Sequence, residues 1–378
     1  MSRSILFKML AVLAAMALVL GACDRGDDDD GGGGGGGGDT DTEAGQAGGD
    51  LLSEVIDRGT LRCGVNETVP GFGFDPGDGN IDGFDIDFCR AFAAAIVGDP
   101  EAIELIPIDA DNRFIALQNG DYDVLVRNTT HTASREGTEG VFFAHVNFYD
   151  GQAMMVRQGE FSSIDEMDGA NICVTSGTTT ELNLADYFQQ RDLDFSAVTF
   201  AENPQLQRAF ISERCDGWTS DRSQLAGIRS AWPQNQGGPE SLEILEETMS
   251  KEPLAPGVLD SEVELGDAIN AVVNGLILAE ELGVTSGNVE QRANNPQGSG
   301  PVASLLGAPV PDPEGGGAEP VDFGLGLELD FMVRAISAVG NYGEIFDRHL
   351  GPNSDIGLER GLNALWTDGG IQYAYPLR

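Results

Sequence analysis

The chain has 378 residues, 41% of them apolar, and carries 62 Asp and Glu against 21 Lys and Arg for a formal net charge of −41. So negative a surface repels polyphosphates and excludes nucleic acid as a partner, and it opposes unaided adsorption to anionic lipid. Three histidines and five cysteines, with no C-x-x-C pair among them, offer no metal site and no redox motif.

In chain order, Arg3 and Lys8 flank a short apolar stretch over 9–19 that closes on Leu20, Gly21 and Ala22. This reads as an export signal over residues 1–22, because about fourteen apolar residues fall short of the roughly twenty that span a membrane. The order Leu-Gly-Ala-Cys that ends it resembles a bacterial lipobox, which implies cleavage before Cys23 and acylation of its thiol. Residues 23–50 follow with an aspartate run and eight glycines. Such a tract has too little apolar surface to offset its chain entropy and is expected to be a disordered tether. It is not a nucleotide loop, since no strand precedes it, and it lacks the spaced ligands of a calcium loop.

From residue 51 the pattern alternates. A strand over 61–65 precedes a helix over 85–97, with Asp85 and Asp87 at its start; a strand over 103–108, a helix over 113–119 and a strand over 124–126 follow. After Met154-Met-Val-Arg157 the rhythm restarts with strands over 171–175, 197–200 and 217–220 and helices over 181–190 and 204–212. This is the βαβ order of two parallel-sheet units, an α/β fold. The Pro- and Gly-rich stretch over 294–322 reads as a surface loop before the final helices.

Three strand ends carry polar chemistry. The first, DVLVRNTTHTASR over 123–135, runs from a strand into hydroxyls and amides and closes on Arg135. The second, VTSGTTTELNL over 174–184, places threonines at a helix start with Glu181 three residues after Thr178, the spacing of a capping box. Free N–H groups and the helix dipole there suit an anion. The third, CDGWTSD over 215–221, delivers Asp221 just past a strand. Strand ends are where open α/β sheets bind ligands.

These segments, with LRCGVN, GFDIDFCRAFAAAI, VNFYDGQAMMVR, SKEPLAP, VGNYGEIFDRHLG and RGLNALWTDGGIQYAYPLR, resemble the extracytoplasmic amino-acid-binding proteins of ABC importers, most closely the general L-amino-acid subgroup. The resemblance implies a two-lobe, type II periplasmic-binding-protein fold with two crossings at a hinge. Lobe 1 is expected over 51–151 and 249–378, and lobe 2 over 152–248. It further implies capture of free L-amino acids, a permease and its ATPase as partners, an extracytoplasmic place on a lipid anchor, and no cofactor. Carried onto this sequence, Arg135 grips the α-carboxylate with Thr130 and, from the other lobe, Thr179; Asp221 takes the α-ammonium. Asn128, Arg127 and Thr178 face the ligand, and Phe72 walls the pocket. The aromatic ring that the family sets against its substrate has no equivalent near Ala110 to Arg113.

With Cys23 assigned to lipid, four cysteines remain and allow three pairings. A bridge between lobes would resist hinge motion, so Cys63 is expected to pair with Cys89 and Cys173 with Cys215. Related folds also serve as sensory modules and as cleft enzymes. The enzyme reading finds neither a Gly-x-Ser-x-Gly elbow nor a Ser, His, Asp arrangement to support it.

Overall fold

The computed structural model describes residues 51–296, 300–311 and 318–378; the export signal, the tether and Cys23 lie outside the described residues. Two five-stranded sheets form the frame. In the first, strands Ile103–Pro107, Leu61–Val65 and Val124–Val126 run parallel; Gly257–Leu259 pairs antiparallel with Val124–Val126, and Val141–Phe143 pairs antiparallel with Gly257–Leu259 at the far edge. In the second, Phe195–Phe200, Ala170–Thr175 and Gly217–Asp221 run parallel; Gln152–Arg157 pairs antiparallel with Gly217–Asp221, and Leu242–Ile244 pairs antiparallel with Gln152–Arg157 at the edge. The chain leaves the first sheet through Phe148–Asp150 and returns through Glu252–Leu254, and these two segments pair with each other in antiparallel register. The architecture is therefore a two-lobe α/β fold with two crossings. Asn363 covers the outer edge of the first crossing: its side chain accepts from the Tyr149 N–H at 2.7 Å and donates to the Tyr149 carbonyl at 3.0 Å.

The helix Phe84–Ile96 is buried at every residue except Arg90, because it lies between the first sheet and the helices Val263–Glu281 and Phe331–Val339. A helix apolar on all sides is stable only when so enclosed. Both acids of its first turn are buried as well. Asp85 accepts the Asn128 N–H at 2.7 Å, and burial, opposed by that bond and by Arg127, pushes its carboxyl up to about 7. Burial pushes Asp87 up too, but His349 and Arg348 outweigh it and hold this carboxyl at about 2. Asp82, Asp87 and His349 have the proximity of a metal site. Arg90 and Arg348 already supply the positive charge there, each paired with Asp87.

Two expectations are corrected here. The stretch over 294–322 is not a plain surface loop, since it contains the helix Gly300–Leu305, whose Val302 and Leu305 join the main core. The pairing of Val310–Pro311 with Ala318–Glu319 then brackets the residues that fall outside the description. Cys173 and Cys215 form a disulfide within the second lobe, but Cys63 and Cys89 are free and fully buried. Burial and a hydrogen bond to Cys63 push the Cys89 thiol well up, so that thiol is protonated and poorly nucleophilic. Among the described residues no helix is long and apolar enough to cross a membrane.

Candidate ligand-binding cleft

The parallel strands of both sheets point their C-terminal ends at one polar cavity between the lobes, with a free volume of about 40 Å³. From the first lobe, the turn after Val124–Val126 contributes Arg127, Asn128 and Thr130, and the short helix Ala133–Gly137 contributes Arg135. From the second come Thr178, Thr179 and Asp221. Seven of the eight expected ligand-binding side chains thus line one space. The eighth, Phe72, is corrected: it is 1% exposed and packs edge-on against Phe148 at 5.2 Å and Phe84 at 5.8 Å in the first core, away from the cavity. A ring behind a glycine-rich turn is drawn into the nearest apolar cluster.

Arg135 is aimed by three constraints. Its N–H donates to the Thr132 hydroxyl that caps its helix, its guanidinium donates to the Thr130 carbonyl, and its central carbon lies 5.2 Å from the Phe114 ring. Burial pushes the group down only to about 10, so it stays cationic at neutral pH. Arg113 stacks on the same ring at 4.8 Å. It donates across the lobes to the Gly177 carbonyl at 3.1 Å, while its buried Nε has no hydrogen-bond partner. Burial, then the charges of Arg135 and Arg127, lower its affinity for its proton. Where the sequence offered no aromatic ring, the fold sets a guanidinium; the residue reads in sequence only as the start of a helix. Arg127 is buried, donates to the Ile108 carbonyl at 2.6 Å and lies 3.6 Å from Glu202.

Asn128 adopts a positive φ of 37°, a conformation that Asn tolerates better than most residues. This aims its amide across the cleft, where it donates to Gln224 of the second lobe at 3.2 Å and accepts from Asn66 at 3.2 Å. Thr178 caps the helix Thr179–Gln189 by accepting from the Glu181 N–H, but the Glu181 carboxylate reaches the Gly177 N–H instead of closing the expected box on Thr178. Thr130 and Thr179 both donate to one oxygen of Glu252, each at 2.7 Å, and Asn183 donates to the other oxygen at 2.8 Å. Glu252, on the returning crossing, went unread in the sequence although SKEPLAP contains it. With those hydroxyl protons committed, what the two threonines hold free toward the cavity is lone-pair density.

Asp221 begins the helix Arg222–Ser230 yet makes no side-chain cap bond. Burial, then the neighbouring carboxyls of Asp150 and Glu252, push its own carboxyl well above the usual range, against Arg135 and Arg113. A buried acid without a capping role, facing a cavity that also holds an arginine, is placed to receive a cation.

A family model of the bacterial extracellular solute-binding proteins, family 3, matches residues 61–352. The chain is 43% identical over 336 residues to the general L-amino acid-binding periplasmic protein AapJ of Rhizobium johnstonii, covering 89% of this chain and 95% of that protein. It is 42% identical over 338 residues to the glutamate/glutamine/aspartate/asparagine-binding protein BztA of Rhodobacter capsulatus, with coverage of 89% and 95%. Among solved structures, a periplasmic binding protein of an ABC transporter from Brucella ovis, with glutathione bound, superposes with a TM-score of 0.80 at 41% identity, covering 87% of this chain and 100% of that one. The fold, the cleft at its strand ends and these matches together make the chain a member of family 3 of the bacterial extracellular solute-binding proteins.

Proposed function

We propose that the protein captures free L-amino acids outside the cytoplasmic membrane and delivers them to an ABC permease and its ATPase, clamping the zwitterion between Arg135 of one lobe and Asp221 of the other. The observation that carries this reading is a buried guanidinium and a buried carboxyl lining one small cavity from opposite lobes. A guanidinium fork matches a carboxylate plane, and a carboxyl left without a protein partner matches an ammonium. Thr130, Thr178, Thr179 and Asn128 shape the turns around the backbone ends of the ligand. The free backbone N–H groups at the start of helix Thr179–Gln189 add donors to the carboxylate. Arg113 and Arg127, both buried and lining the same cavity, favour ligands with an acidic or amide side chain, the classes named for the Rhodobacter relative. The reading is supported by relatives that are binding proteins and not enzymes.

Calorimetry on the soluble domain tests it. Arg135→Lys and Asp221→Asn should each weaken every amino acid by roughly 1.5 to 3 kcal/mol, since both backbone groups are common to all ligands. Acetylating the ligand amine should cost the wild type far more than Asp221→Asn. An equal cost in both, or a change of rank order without a general loss, would overturn the assignment. The anchor is proposed on the order Leu-Gly-Ala-Cys alone: Cys23→Ser should abolish incorporation of labelled fatty acid and leave a precursor or a released protein.

A further inference from the structure

A second cavity of about 190 Å³ adjoins the ligand cleft, also between the lobes. We infer that it receives the distal end of long cationic amino-acid side chains, lysine or arginine, whose backbone ends sit in the cleft. The inference rests on the amino-acid-binding reading and extends it to the side chain.

One layer of side chains separates the two spaces. Asn203 lines both of them. One helical turn beyond Asp221, Gln224 donates to the Asn203 carbonyl oxygen at 3.1 Å, and Asn203 donates to the Thr68 hydroxyl at 3.2 Å. Thr68 in turn lines the second cavity and has its hydroxyl 2.9 Å from Asn66 of the cleft. Glu202 stands at the edge of this partition, 3.5 Å from the Thr68 hydroxyl and 3.6 Å from Arg127, so the amides and the hydroxyl can part by rotating while that ion pair stays in place.

The walls fit an aliphatic stem ending in a cation. Pro70, Phe74, Trp218 and Ile228 supply the apolar surface, and Glu67 and Asp75 supply the charge; among the described residues no Lys, Arg or His lines the space. Asp75 accepts the N–H groups of Gly77, Asp78 and Gly79, an arrangement that favours its ionised form. Pro70, Phe74 and Ala231 also line an outer groove, so a terminal ammonium or guanidinium keeps partial contact with water and avoids full desolvation. The protein thus holds two side-chain subsites of opposite preference: Arg113 and Arg127 at the cleft for acids, and this annex for bases.

The test is titration calorimetry of the soluble domain with L-lysine, L-arginine and L-glutamate. Two variants outside the zwitterion site are compared with wild type. Glu67→Gln removes an exposed charge, and Gln207→Phe, on the half-buried face of helix Asn203–Ile211, fills the space. Wild type binds all three ligands. Glu67→Gln should weaken lysine and arginine about three- to fivefold, Gln207→Phe should weaken them about tenfold or more, and both should leave glutamate within about twofold. Glutamate binding in each variant also shows that it is folded. Lysine and arginine unchanged in both variants, or all three ligands weakened alike, overturns the annex. Glutamate bound by the wild type while lysine and arginine are not also overturns it, and leaves the amino-acid reading standing. No binding of any of the three defeats the amino-acid reading itself.

Discussion

At the scale of single residues, the cleft is built on carboxyls that hold protons they would lose in water. Asp221 is the clearest case, because burial and two neighbouring carboxyls raise it while a ligand ammonium would favour its charged form. Binding should therefore release protons, and affinity should rise with pH across the range where the free protein is still protonated at Asp221. Calorimetry at pH 6 in buffers of different ionisation heat should detect the release in wild type and lose it in Asp221→Asn; buffer-independent heats in wild type would contradict the placement. Asp85 makes the matching statement about folding. Its folded value of about 7 lies above the ordinary 3.8, so the folded state holds the proton more tightly. That contribution is complete below the unfolded value and is lost as pH rises through about 7. Urea titrations should show that Asp85→Asn removes roughly 4 kcal/mol of this pH dependence between acid and mildly alkaline solution. Arg135 and Asp221 were legible in the sequence because each sits where a strand pattern breaks into polar turn residues. Glu252 and Arg113 were not, since their roles arise from contacts across 122 and 64 positions of chain, and no local pattern encodes such a meeting.

At the scale of elements, the parallel strands and their helices announce themselves through β-branched runs and helical spacing, and the observed bounds lie close to those read from the sequence. The antiparallel edges and crossings are three residues each in Val141–Phe143, Phe148–Asp150, Leu242–Ile244, Glu252–Leu254 and Gly257–Leu259. Three residues are too few to display a period of two, so these went unread. The helix Gly300–Leu305 hid for a different reason: its flanks are Pro and Gly, and only packing against the core reveals that Val302 and Leu305 face inward. Between lobes, the turn before helix Thr179–Gln189 meets the loop after Ile103–Pro107 in a small latch. Ser176 donates to Asp111 at 2.6 Å, Arg113 donates to the Gly177 carbonyl, and a Cβ on Gly177 would lie 2.3 Å from Asp111 Oδ1. Gly177 also has φ +68°, where any other residue is strained by about 1 kcal/mol or more. Gly177→Ala should hence weaken all amino acids by roughly tenfold or more by opposing closure, while leaving their rank order intact. Unchanged affinity by calorimetry would show that the latch takes no part in capture.

At the scale of the whole molecule, charge and hinge set the behaviour. A formal charge of −41 means that compaction works against self-repulsion, which salt screens within about 10 Å at 0.1 M. The melting temperature should therefore climb with sodium chloride, and a flat profile in a thermal scan would show that repulsion is locally neutralised. The disulfide Cys173–Cys215, 42 residues apart in one lobe, adds about 4 kcal/mol in the chain-entropy model. Peptide mapping without reductant should recover that bridge and two unmodified thiols at Cys63 and Cys89. The paired crossings carry the last consequence. Phe148, Tyr149 and Asp150 are matched one to one with Leu254, Pro253 and Glu252, and Asn363 holds the outer edge at Tyr149. Two strips laminated in this way flex like a leaf spring: they bend together about one axis and resist twisting separately. The lobes then have a single soft coordinate, and capture seen by stopped-flow fluorescence should relax in one exponential phase whose rate levels off at high ligand, the plateau being the spring's own closing rate.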